Sequence, residues 1–195
     1  MAINKDIRNI IDRAHKGSVY FADSFKGIDE DYAGKILSSL ADSGILMRVG
    51  HGVYVKPLQC EFGSFSPEID DIIKAVAKRD NSSVLPAGMA ALNKLGLSEQ
   101  VPMNIVYITS GVARNLTIGG MTVTLKHVAP SNFKYKGTLV PLLVQALKEL
   151  GQEGIDEEVK DGLRRLVSMQ TDKYFNEDID KAPVWMKKLI MNLNK

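Results

Sequence analysis

A chain of 195 residues is long enough for one large or two modest domains, and 45% hydrophobic with 25% charged residues is a globular composition that excludes gross disorder. The formal net charge of +2 excludes a nucleic-acid binder that works through global electrostatics, so any DNA contact has to come from local spacing. No run of about 18 uncharged apolar residues occurs, and Lys5, Asp6, Arg8 and Asp12 interrupt the amino terminus where a signal-peptide core would lie, so a cytoplasmic protein without a membrane span is expected.

Ile3, Ile7, Ile10, Ile11 and Ala14 recur at helical spacing, and with Asn4 as N-cap and Gly17 as stop they predict an amphipathic helix over 4–16. Val19 to Phe21 suits a short strand, and Ala22 to Phe25 leaves room for one helical turn before Gly27. Asp29 is a good N-cap, Glu30 and Asp31 sit at the positive end of the dipole, and Ala33, Ile36, Leu37, Leu40 and Ala41 form the buried stripe of a helix to about Asp42. After Ser43 and Gly44, the runs Ile45 to Val49 and Val53 to Val55, joined by Gly50-His51-Gly52, predict a β-hairpin ending before Pro57.

The segment from Pro57 to Ser66 reads as a linker, placing the expected domain boundary there: residues 1–60 and residues 61–195. Beyond it, Ile69, Ile72, Ile73, Val76 and Ala77 predict a helix capped by Ser66, and Pro86 to Leu95 predicts another, ended by Gly96. Ile105 to Ile108, Leu116 to Ile118 and Met121 to His127 read as strands, with Gly119-Gly120 a two-residue hairpin turn because both positions tolerate positive φ. Helices are predicted again over 139–150, 157–169 and 184–194. The expected fold class is α+β, a small helical and hairpin domain followed by a mixed domain of helices with a small antiparallel sheet.

Helix, short turn element, helix and two-stranded hairpin within about 55 residues is the order of a winged helix-turn-helix, whose second helix fits the major groove while the hairpin lies along phosphates. Lys35, Ser38 and Ser39 fall opposite the apolar stripe of the 29–42 helix and are the expected groove contacts; Arg48, His51 and Lys56 fall on or beside the hairpin and are the expected backbone contacts. Asp29, Glu30 and Asp31 put negative charge on the same helix, which leaves a second reading open: a winged helix used as a protein-interaction scaffold without specific DNA binding.

Signals for catalysis are absent from the spacing. His15, His51 and His127 lie far apart, outside any HExxH or comparable ligand pattern, and the single cysteine, Cys60, has no partner for a disulfide, a CxxC pair or a zinc knuckle. Gly63-Ser64 followed by Asp70-Asp71 has the composition of a nucleotidyltransferase site, but adjacent acids point apart and suit a helix start instead. No glycine-rich phosphate loop and no G-x-S-x-G elbow occurs, so a non-enzymatic protein without cofactor or metal is expected.

LSSLADSGILMRVGHGVYVKP (Leu37 to Pro57), followed by LPAGMAALNKLGLSEQVPMNIVYITSG (Leu85 to Gly111), resembles the AbiEi-type antitoxins of bacterial type IV toxin-antitoxin systems and related regulator families. The resemblance covers roughly residues 5–128. Its distinctive part pairs a G-I-x-x-R-V-x-x-G-V-Y hairpin with an A-L-x-x-L-G-L-S-x-Q-V-P-x-x-x-x-Y-x-T-S-G block. It implies an amino-terminal winged helix that represses its own promoter, hence double-stranded DNA as a partner, and a carboxy-terminal domain that counteracts a nucleotidyltransferase-like toxin.

Overall fold

The computed structural model describes residues 2–61, 63–100 and 102–193, and divides into two compact units, one of residues up to Asp80 with Asn115–Thr122, the other of Asn81–Arg114 with the remainder from Val123. The fold is mixed α+β with small antiparallel sheets. Among the described residues no helix is long and apolar enough to cross a membrane. The side chains of Ile3, Asn4 and Cys60, which carried part of the sequence reading, lie outside the described residues.

The first unit begins with helix α1 (Ala2–Arg13), strand β1 (Val19–Tyr20) and a 3-10 turn (Ala22–Ser24), in which the Phe21 N–H donates to Ser24 Oγ at 2.9 Å. Helix α2 (Glu30–Asp42) starts where Asp29 Oδ1 accepts from the Tyr32 N–H at 2.9 Å, the cap expected of aspartate. It stops at Gly44, held at φ +76°: the Ile45 N–H reaches back to Leu40 O and the Gly44 N–H to Ala41 O, a Schellman closure that turns the chain directly into a hairpin. That hairpin is β2 (Met47–Gly50) and β3 (Val53–Val55). β1 adds to its other edge, giving the order β1-β3-β2 with Tyr20 opposite Tyr54 and Arg48 opposite Tyr54 on the two sides of β3.

Ile7 and Ile11 of α1, Ile36, Leu37 and Leu40 of α2, and Tyr20, Phe25 and Leu46 share one buried cluster. Ile10, expected in the stripe, is half exposed; Ile11 takes the inward position.

The expected linker is not a linker. Leu58–Cys60 (β4) and Gly63–Phe65 (β5) pair antiparallel, with Leu58 opposite Phe65. Helix α3 (Ile69–Arg79) belongs to the same unit, fastened through its last residue: Arg79 Nε lies 2.9 Å from Asp23 Oδ2, and its guanidinium covers the Phe21 ring at 5.0 Å. The boundary therefore moves from 57–66 to Asp80–Asn81. The cap of α3 also differs, since Glu68 holds the N-cap position and the Ser66 hydroxyl faces Met47 Sδ at 3.9 Å instead.

The second unit opens with β6 (Val84–Ala87) where a helix was expected to begin; Pro86 sits in this strand, opposite Tyr107. A proline lacks the N–H that an inner strand needs, and β6 is an edge strand in the order β6-β7-β9-β8. Helix α4 (Met89–Lys94) follows, then β7 (Asn104–Thr109) and most of β9 (Met121–His127); β8 (Arg114–Ile118), from Asn115 on, and the Gly119-Gly120 turn, at φ +58° and +82° as expected, fall in the Asn115–Thr122 segment of the first unit.

The central element of this unit is α5 (Leu139–Leu150), apolar almost all round, which packs with α6 (Glu157–Met169), α7 (Phe175–Ile179) and α8 (Val184–Asn192) into one core including Leu143, Leu147, Leu163 and Met186. The amino end of α5 is satisfied from a distance. Asp172 accepts from the N–H groups of Thr138 (2.9 Å) and Tyr174 (3.0 Å), and the fully buried Asp178 accepts from those of Lys136 (2.9 Å) and Gly137 (2.6 Å) and from the Lys181 ammonium at 3.1 Å. Burial of the Asp178 carboxyl pushes its pKa up, but donation from Gly137, Lys136 and Lys181 outweighs this and holds it below the ordinary carboxylate value. The Tyr174 and Thr138 N–H groups do the same for Asp172.

Candidate nucleic-acid interface

The polar face of α2 is set by helical geometry: with Ala33, Ile36, Leu37 and Leu40 turned inward, Asp31, Lys35, Ser39 and Asp42 follow one another three or four residues apart on the outside. Lys35 and Ser39 are exposed and Ser38 is half-buried at the margin of that face. Lys35 makes no ion pair among the described residues, although Asp31 stands one turn before it. Asp29 is engaged as the helix cap but is exposed and keeps its charge, so the exposed negative charge near this end comes from Asp29, Glu30 and Asp31.

On the hairpin, Arg48 is exposed and lies over the Tyr54 ring, its Cζ 5.9 Å from the centroid, which braces the long side chain against the sheet without neutralising it. His51 occupies the turn and is exposed, followed by Gly52 at φ +68°. Gly50 is close to Leu116 of the same unit, and a Cβ there would strike that side chain.

Lys56 requires a correction. Its ammonium donates to the carbonyls of Ile11 (2.7 Å), Asp12 (3.0 Å) and Ala14 (2.9 Å), so it closes the carboxyl end of α1. The last turn of a helix leaves acceptors unpaired and carries partial negative charge, which makes a lysine from another element a good cap. The backbone pins it there: Lys56 N–H donates to Ser18 O and Gly17 N–H to Lys56 O, both at 2.8 Å. A side chain with three carbonyl acceptors is not a spare phosphate contact. Lys56→Ala is expected to lower stability by about 2 kcal/mol, as for charge-assisted hydrogen bonds. The check is the urea midpoint followed by far-ultraviolet circular dichroism; an unchanged midpoint would return Lys56 to the hairpin's surface role.

Two residues escaped the sequence reading. Tyr32 is 38% exposed on α2 and Lys26 is exposed in the turn before it. Tyr32 was legible, because it falls outside the 33-36-37-40 stripe; Lys26 carried no periodic signal. No group of three or more histidine, cysteine, aspartate or glutamate side chains is placed to hold a metal ion among the described residues.

A search of curated proteins found no match to the chain. Residues 6–175 do match the model of a family of unknown function, DUF6088, and a match over that much of its length makes the chain a member of that family.

Proposed function

We propose that this protein is a cytoplasmic, non-enzymatic DNA-binding regulator whose first unit works as a winged helix-turn-helix, with α2 in the major groove and the β2–β3 hairpin as the wing. The observation that carries the reading is the element order helix, strand, short turn, helix, hairpin, with the first strand added to the hairpin as β1-β3-β2, together with unpaired cations on α2 and on the hairpin. Lys35, Ser38 and Ser39 are offered to base edges, Arg48 and His51 to phosphates; Lys56 supports the domain through α1. The resemblance to AbiEi-type antitoxins extends the proposal to repression of its own promoter and to antagonism of a nucleotidyltransferase-like toxin by the second unit.

The test is a gel shift of the full chain on its own upstream region against random duplex of equal length. Specific retardation is expected, and Ser39→Ala should change the preference among sequences by roughly 1–3 kcal/mol if it makes a good base contact. Uniform loss on all sequences would remove α2 from base reading. The exposed Glu30 and Asp31 favour a second reading, a protein-interaction module on the same scaffold. A folded protein that shifts no DNA yet rescues colony growth under induction of a neighbouring toxin would establish that reading in place of the first.

A further inference from the structure

Strand β3 is buried on both faces. Tyr54 belongs to the cluster shared by α1 and α2, so Val53 and Val55, which point the other way along the strand, need a separate cover, and both are fully buried. Gly50, on the neighbouring β2, shows where part of that cover lies. Its φ is outside the left-handed range, so the backbone there suits any residue, yet a Cβ would strike the Leu116 side chain and lie 3.6 Å from Asn115 O. A strand glycine without a conformational reason marks a close approach.

The pairing of the hairpin is irregular at the same place. Arg48 lies opposite Tyr54 and Gly50 opposite Val53, which leaves Val49 as an extra residue in β2, a bulge. A bulge bends its strand and re-aims the side chains around it, here Arg48 before it and His51 after it. Leu116 stands against that bend. The segment that carries it, Asn115–Thr122, packs with the first unit, although Arg114 before it and Val123 after it belong to the second. Leu116 and Ile118, alternate residues on one face of β8, are almost fully buried.

We propose that the β8–β9 tip is a strut for the wing: Leu116, seated on Gly50, is a positioning residue that fixes the bulge at Val49 and with it the direction in which Arg48 and His51 meet the duplex. The inference rests on the reading of this hairpin as a wing. Its consequence is that residues 1–80 are not the whole DNA-binding unit, because the piece that holds the wing comes from far along the chain. A packed contact of this kind has one good arrangement, so emptying or overfilling it frees the bend.

The experiment uses the full chain with Gly50→Val, Leu116→Ala and the two together, in two measurements. Amide hydrogen exchange reads the strut itself: each single change should speed exchange in β2 and β3 by about ten-fold or more while α2 keeps its protection. The pair, in which the valine fills space that the leucine leaves, should return to within about three-fold of wild type. Fluorescence anisotropy on duplex over a salt series reads the consequence: each single change should lower the slope of log affinity against log salt by about 1, the share of the Arg48 contact, and the pair should restore it. A general loss of packing would loosen α2 as well and would not be repaired by a second substitution. If Leu116→Ala does not fold, Leu116→Val takes its place, with a smaller effect in the same direction. Hairpin amides as protected in the Leu116 variant as in wild type overturn the strut, as does a pair whose effects simply add. Exchange that is restored in the pair while the salt slope never moves overturns the positioning role. Wild-type protein without affinity for duplex overturns the winged-helix reading instead, and the exchange result then decides the strut by itself.

Discussion

Replacing Asp178 with alanine should remove about 3–5 kcal/mol from the stability of the second unit, as expected when two backbone N–H groups, each worth about 1–3 kcal/mol when left unsatisfied, lose a buried charged acceptor. Asp178 is fully buried and holds the Lys136 and Gly137 N–H groups and the Lys181 ammonium; without it, two backbone donors lose their acceptor, while Lys181 keeps Glu177. The only tryptophan, Trp185, packs against the core of this unit, so its fluorescence reports the transition. With a denaturant slope of about 2 kcal/mol per M, the urea midpoint should fall by about 2 M. Asp178→Asn, which keeps one acceptor oxygen, should lose less.

The same carboxylates set an acid limit. Asp172 and Asp178 both have pKa values below the ordinary 3.8, so the folded state favours their ionised forms. Their contribution is therefore full above the unfolded value and is lost as pH falls through the folded one. The difference between wild type and Asp178→Asn should shrink below about pH 4. A gap that stays constant down to pH 2 would show that the charge of Asp178 is not what stabilises the α5 terminus. Gly137→Ala probes the same spot by steric means, because a Cβ there would collide with the Asp172 carboxylate and dislodge it from the Thr138 N–H.

The second large effect concerns the proposed DNA interface. Reversing two unpaired cations together, Lys35→Glu with Arg48→Glu, should reduce the dependence of log affinity on log salt by about 2, since each lost phosphate neutralisation removes about 0.9. Binding at low salt should fall steeply on specific and random duplex alike. Asp31→Asn should act in the opposite direction: it removes exposed negative charge from the same helical face as Lys35 and should tighten binding. Fluorescence anisotropy over a salt series reads both. An unchanged slope in the double variant, or weaker binding in Asp31→Asn, would take α2 and the hairpin out of contact with the duplex.

What could be read from the chain was whatever neighbouring residues decide among themselves. Asp29 caps the turn three residues on, Gly44 closes α2, Gly119-Gly120 permits a tight turn, and the apolar repeats of 139–150 and 157–169 mark α5 and α6 to the residue, because helical period and φ freedom are properties of a local stretch. The exposed faces carrying Lys35, Ser39, Arg48 and His51 followed from the same periodicity. Tertiary structure decided the rest, where a partner lies tens of residues away. Lys56 looked like a free cation until the end of α1, more than forty residues earlier, supplied three carbonyls for it. Pro86 looked like a helix start until β7 made it part of an edge strand; the supposed linker at 57–66 became two paired strands, and Arg79 ties α3 to Asp23 and Phe21, which puts α3 in the first unit. Asp172 and Asp178 carried no pattern at all. Their role exists only because the chain returns them to the α5 terminus, and the cost of leaving backbone groups unpaired, which composition and period do not register, is what holds them there.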